Sequence, residues 1–153
     1  MKTVAQKLLM LVTTIAIGGI FLLPVKAMAI PQEATFDAEQ IAIAQVGTTM
    51  TIDQSVDKAI IDWQDYSIAA DELVQYVQPS TDAIALNKIT GANPSEIMGD
   101  LTANGQIFIM NPNGILFGPD SHVNTAGLLA TTLNITDEDF LNGDYDFVQD
   151  QYK

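Results

Sequence analysis

The sequence predicts an all-β protein, a solenoid of short strands wound as a parallel β-helix, and three observations predict it. From Thr48 onward the chain runs in short apolar bursts rich in Ile, Val, Leu and aromatic residues, the composition of strands. Asn, Gly and Pro cut these bursts at Asn93-Pro94, Asn104-Gly105, Asn111-Pro112-Asn113-Gly114, Gly118-Pro119-Asp120 and Asn124, the residues that close tight turns. The steps between Asn104, Asn111, Gly118 and Asn124 are seven, seven and six residues. Hairpin sandwiches space their turns at about 8–12 residues, whereas three steps of this size make a repeat of about 20, within the solenoid range. A small sandwich is the alternative that spacing alone leaves open.

In chain order, the strand candidates are Thr49–Asp53, Ala59–Trp63, Leu73–Val77, Ala83–Ile89, Glu96–Leu101, Gln106–Met110, Ile115–Phe117 and Leu128–Ile135. Thr49-Met50-Thr51-Ile52-Asp53 alternates polar and apolar residues, as a half-buried strand does. Asp71–Gln78 also reads as a short helix, but only eight residues precede Pro79, which makes that reading weak. In a coil of three short strands the inward residues stack on those of the next coil, and Ile107, Ile109, Leu116, Val123 and Leu129 are the candidates for that row. Residues 30–47 mix acids with alanines without sustained periodicity, which predicts a mobile leader or cap segment.

The first residues carry an export signal. Lys2 and Lys7 make a positive start, Leu8 to Leu23 are uncharged, Pro24 ends the run, and Ala27-Met28-Ala29 has the small-x-small pattern a signal peptidase cuts. The uncharged run spans 16 residues, short of the roughly 20 of a membrane span, and Thr13, Thr14, Gly18 and Gly19 dilute it; an uncleaved anchor is the alternative. The expected organisation is therefore a signal peptide at 1–29 cleaved after Ala29, a leader or cap at 30–47, and one domain at 48–153.

Cleavage leaves Lys58, Lys88 and Lys153 against 19 acidic residues, with no arginine, so the formal charge falls to about −16. A phosphate backbone needs clustered Lys or Arg to displace its counterions, which excludes nucleic acid as a partner, and an anionic lipid surface is disfavoured for the same reason. Self-repulsion that keeps the chain soluble is the plain meaning of the charge. There is no cysteine, so the fold rests on packing and hydrogen bonds without disulfides; a chain threaded through a narrow pore gains from having no crosslinks.

Asn111-Pro112-Asn113-Gly114 is suited to a tight turn, because Asn bonds its own backbone two residues on, Pro presets φ and Gly enters positive φ. Its flanks make it specific. The stretch Leu101-Thr102-Ala103-Asn104-Gly105-Gln106-Ile107-Phe108-Ile109-Met110 before it and Ile115-Leu116-Phe117-Gly118-Pro119 after it resemble the secretion domain of filamentous haemagglutinin-type two-partner secretion exoproteins. Lys58-Ala59-Ile60-Ile61-Asp62-Trp63, Tyr66-Ser67-Ile68, Gln78-Pro79-Ser80 and Ala83 through Gly91 are similar to the family's earlier coils. Val123-Asn124, Gly127 through Ile135, and Asp139-Phe140-Leu141-Asn142-Gly143 continue the likeness, which runs from about Thr48 to Phe147. Two departures stand out: Ala70-Asp71-Glu72 and Ala126 replace usual glycines. The family's second motif, NPNL, is absent, which implies a domain incomplete at its C-terminal end.

The resemblance implies a right-handed parallel β-helix with N-terminal capping strands and no enzymatic activity or cofactor. It also implies a route: the Sec translocon and signal peptidase handle the precursor, and an outer-membrane partner transporter captures the domain through its periplasmic domains and passes it through its barrel. The destination is the cell surface or medium of a Gram-negative-type bacterium, and any host or surface ligand would belong to an absent passenger region. The turn Asn111, Pro112, Asn113 and Gly114 is the candidate for recognition, set against a purely fold-shaping role.

Rival readings are a surface adhesin that binds host or glycan ligands directly and a polysaccharide-active β-helix enzyme. Trp63, Tyr66 and Tyr76 are the side chains able to stack on sugars, with core packing the competing role for Trp63. A lyase needs basic residues, which are scarce here, and a hydrolase needs paired carboxylates, whose pairing a sequence does not show. Asp120, Ser121 and His122 name the residue types of a catalytic triad, but sequence neighbours rarely converge that way. Asp137-Glu138-Asp139 with Asp144, Asp146 and Asp150 offer oxygens, yet no spacing fits a calcium loop and a solvated acidic run is commoner. No metal is expected.

Overall fold

Residues 29–149 are described by a computed structural model. The strands are β1 (Gln32–Phe36), β2 (Ile41–Val46), β3 (Thr49–Gln54), β4 (Lys58–Asp65), β5 (Leu73–Val77), β6 (Ile84–Ile89), β7 (Ser95–Ile97), β8 (Asp100–Ala103), β9 (Gln106–Met110), β10 (Ile115–Phe117), β11 (His122–Asn124) and β12 (Gly127–Thr131), followed by one helix, α1 (Asp137–Asn142). Successive coils place their strands on three faces. One sheet has the order β1-β4-β6-β9-β12, a second β11-β8-β5-β3-β2, and a third pairs β10 with β7. All pairs between coils are parallel, so the fold is a parallel β-solenoid.

The repeat works because the register is even. Ala59, Ala85, Ile107 and Leu128 lie on one another, as do Ile61, Asn87, Ile109 and Ala130. On the neighbouring face Met50, Val74, Leu101 and Val123 form a third row. With a side-chain period of two, a strand that puts one such residue inside puts its neighbours outside, and an unshifted register repeats that choice coil after coil. The lumen is filled by Ile52, Ile61, Trp63, Ile68, Val74, Leu101, Ile107 and Ile109, all at most 1% exposed.

Several expectations change. Of the two forms expected for residues 30–47, the structure shows the cap and not the mobile leader: β1 runs antiparallel to β4 and β2 antiparallel to β3, closing the N-terminal end of the sheets. The burst at Glu96–Leu101 is two strands, β7 and β8, bent at Met98-Gly99. Leu116 and Leu129 have the opposite phase to that expected. Leu116 pairs with exposed Glu96 and points out, leaving Ile115 and Phe117 against the core. Leu129 lies over Phe108 on the outer face, and Leu128 takes the inward place over Ile107.

That outer face has its own cover. Ile84, Leu86, Met110, Ile135 and Phe140 form a second apolar cluster with Ile60, Phe108 and Phe147 packed against it, and α1 supplies Phe140. Thr136 caps α1 by accepting the Asp139 N–H at 3.1 Å, the role that hydroxyl side chains take at helix starts. Lys58 Nζ donates to the carbonyls of Phe140 and Leu141 at 3.1 and 3.0 Å at the helix's other end, where unpaired carbonyls attract cations. Lys88 pairs with Asp137 at its start and with Asp62 at 3.8 Å.

Candidate functional site

The predicted turn joins β9 to β10 and is bolted to the coil below. Asn111 is fully buried. Its Nδ2 donates to the Asn93 carbonyl at 3.0 Å and to Ser95 Oγ at 2.9 Å. Its Oδ1 accepts from the Asn113 backbone N–H at 2.9 Å and from Asn113 Nδ2 at 3.1 Å, while its carbonyl accepts from Gly114 N–H at 3.1 Å. Asn113 Nδ2 also donates to the Gly91 carbonyl at 2.8 Å. Gly114 has φ +111°, a conformation open to glycine and strained for other residues, and its carbonyl accepts from Ser95 N–H at 2.9 Å. Two asparagines thus tie this turn to the one beneath it, and the coil rise there allows no bulk: a Cβ on Gly91 would lie 2.0 Å from the Gln64 carbonyl oxygen.

The four residues therefore divide. Asn111 is spent on the fold, Asn113 and Gly114 are half-buried, and Pro112 is exposed. Pro112 borders a recess of about 130 Å³ together with Lys88, Thr90, Met110 and Leu133. A neighbouring corner is held the same way: Asn104 exchanges 2.7 Å bonds with the backbone of Gln78, and Gln78 Nε2 reaches Gln54 Oε1 at 3.1 Å.

The second surface is the far end of the solenoid. Among the described residues no strand pairs with the outer edges of β11 and β12. Leu128 and Val123, which continue buried rows, are 42% and 37% exposed. An end of this kind offers unpaired backbone groups and apolar side chains together, the combination that captures or donates a strand.

The lumen carries a polar knot. Asn87 Oδ1 accepts from Trp63 Nε1 at 2.9 Å and from Tyr76 OH at 2.6 Å, and Tyr76 OH lies 3.1 Å from Tyr66 OH. Burial drives both phenols well above their ordinary pKa of 10.0, because a phenolate has no water there. Trp63, Tyr66 and Tyr76 are each 1% exposed, so none of these aromatics presents a face to a sugar.

The remaining candidates are dispersed. Ser121 Oγ donates to the Gly118 carbonyl at 2.8 Å and not to His122, whose Nδ1 stands 3.4 Å from Asp100 at the surface. Asp137 and Asp139 are engaged by Lys88 and Thr136. Ala29 is the first described residue, and its N–H donates to Glu72 Oε1 at 3.0 Å. Ala27 and the rest of the predicted signal segment lie outside the described residues. Glu72 is a buried carboxylate: its place in Ala70-Asp71-Glu72 marks a departure from glycine, but nothing in the sequence signals its burial.

Residues 27–152 match a family model described as the TPS secretion domain. The chain is 37% identical over 109 residues to a heme/hemopexin-binding protein of Haemophilus influenzae (strain ATCC 51907 / DSM 11121 / KW20 / Rd), covering 71% of this chain and 12% of that protein. It is 45% identical over 86 residues to a second heme/hemopexin-binding protein from Haemophilus influenzae, covering 56% of this chain and 9% of the relative. The solved HMW1 secretion domain from Haemophilus influenzae aligns with a TM-score of 0.77 at 34% identity, over 80% of this chain and 33% of that one.

Proposed function

Given that the chain belongs to the TPS secretion domain family, we propose that residues 48–153 are the address by which an outer-membrane partner transporter selects it for release. The observation that carries this is the union of the family match with a parallel solenoid whose last described strands, β11 and β12, have no further strand paired to them among the described residues. The predicted signal peptide would bring the precursor to the Sec translocon, and signal peptidase would cut after Ala29. The transporter's periplasmic domains would then take hold of edge strands before the chain is fully wound, since backbone pairing gives affinity and alternate side chains give selectivity. Outside the cell, each coil templates the next, and growth from one end favours forward movement.

Within the turn, the exposed Pro112 ring and half-buried Asn113 are what a transporter can read, and Asn111 holds them in place. No catalytic role is assigned to any residue. Heme and hemopexin binding, stated in the names of the two relatives, stays with those proteins, of which the chain spans 12% and 9%. The direct-adhesin reading loses its aromatic candidates to the lumen. Titrating the exported chain into the purified periplasmic domains of the partner transporter tests the address: saturable binding is expected, and no heat or signal change at high micromolar concentration contradicts it.

A further inference from the structure

Glu72 is 4% exposed, a carboxylate withdrawn from water at the bend before β5. Its Oε2 accepts the Ala69 N–H at 2.8 Å and its Oε1 accepts the Ala29 N–H at 3.0 Å. Among the described residues no cationic side chain faces it; Lys58 and Lys88 are both committed to α1. A buried carboxylate held by neutral donors alone is costly and gains most from a cation. Ile30, the next residue along from its Ala29 partner, is itself 1% exposed and part of the main core, and its carbonyl is held by Gln32 Nε2 at 2.7 Å.

We propose that Glu72 is the seat of the mature amino terminus, a binding site within the fold for the α-ammonium of Ile30. The inference rests on cleavage after Ala29. Hydrolysis of the Ala29–Ile30 peptide bond consumes one water, sends the Ala29 carboxylate away with the released peptide and leaves a protonated amine on Ile30. The same cut removes the Ala29 N–H from Glu72 Oε1. The new ammonium brings three donors and a full charge to within about one residue's length of the position that N–H held, since adjacent residues lie under about 4 Å apart. The buried Ile30 side chain anchors the terminus, so little freedom remains to be lost when the pair forms. A processed chain then carries an ion pair that an unprocessed chain cannot make, which links removal of the signal to the stability of the N-terminal coil.

The test begins with export of the full chain and intact-mass measurement of the product, followed by pulse acetylation with mapping of each modified amine. Acetylation needs the neutral amine, and each unit by which an ion pair raises an amine's pKa lowers that fraction tenfold. The expected result is a chain beginning at Ile30 whose α-amine reacts at least about tenfold more slowly folded than in urea, with a short free peptide beginning at Ile as the reference for an ordinary α-amine. Glu72→Gln should remove most of that protection. A second variant with one glycine inserted between Ala29 and Ile30, cleaved to a chain beginning at glycine, should lose the protection while keeping Glu72. A product beginning elsewhere overturns the cleavage reading and the seat with it. A product beginning at Ile30 whose amine reacts as fast folded as unfolded, or equally fast in wild type and Glu72→Gln, overturns the seat alone.

Discussion

Val123 lies in register on Leu101, one coil further on, and where Leu101 has no exposed surface Val123 is 37% exposed. Leu128 stands in the same relation to Ile107. The rows that fill the lumen thus continue to the last described coil, where among the described residues no further strand covers Val123 and Leu128.

Unpaired strand edges beside exposed apolar side chains are a template for pairing with a second copy. Val123→Lys and Leu128→Lys, made singly, should shift the exported chain from self-associated species toward monomer in analytical ultracentrifugation. Because both sites are already partly exposed, the thermal midpoint should move by no more than a few degrees. Unchanged sedimentation in both variants would mean the end is not the contact surface.

Replacing Asn111 separates fold from recognition. Asn111→Ala removes both donors to Asn93 and Ser95 and the acceptor that fixes Asn113, and should cost about 2–4 kcal/mol in urea denaturation. Pro112→Ala touches an exposed ring and should cost under about 0.5 kcal/mol. If the turn is read by the transporter, Pro112→Ala and Asn113→Ala should weaken capture well beyond their effect on stability.

The knot around Asn87 is a stricter test of the lumen. Asn87→Ala leaves the Trp63 N–H and the Tyr76 hydroxyl without their shared acceptor, and leaving two buried donors unmet should destabilise by about 2–5 kcal/mol. Trp63 fluorescence during unfolding reports it directly; a loss below about 1 kcal/mol would mean the neighbours find other partners.

Tyr66 and Tyr76 set the alkaline limit. Both have native pKa values raised by burial above 10.0, the 3.1 Å contact between the hydroxyls raising Tyr76 further. A group whose native pKa is raised contributes stability that is whole below the unfolded pKa and is lost as pH rises beyond it toward the native value. The contribution of these groups should therefore be whole and independent of pH below about pH 9, and should be lost progressively from about pH 10 upward. Tyr66→Phe should flatten that fall, as measured by urea midpoints across the range.

Turn chemistry made the solenoid legible: Asn104, Asn111, Gly118 and Asn124 follow a cadence tighter than the usual hairpin spacing, and the expected bounds Leu73–Val77, Gln106–Met110 and Ile115–Phe117 are those of β5, β9 and β10. Phase was less legible at the last coil, because Leu128-Leu129 offers two adjacent leucines and only pairing with Ile107 and Phe108 decides which enters the lumen. Helix α1 was missed because its six residues have no room for a helical period and three of them are acidic. Thr136 followed by Asp139 was the available signal, a capping arrangement, but the helix also depends on Lys58 and Lys88, which lie roughly 50 to 80 residues away in the chain. The capping strands of residues 30–47 followed from the resemblance and not from periodicity: their face is half-covered, so alternation is faint, and pairing with β3 and β4 supplies the order.

The central claim, that this domain is an export address, is tested most directly by expressing the full chain with and without its outer-membrane partner transporter and assaying periplasm and medium. The account predicts chain in the medium only when the transporter is present, with residues 1–29 removed. Retention in the periplasm in both cases, with the transporter folded and active on another cargo, would contradict it.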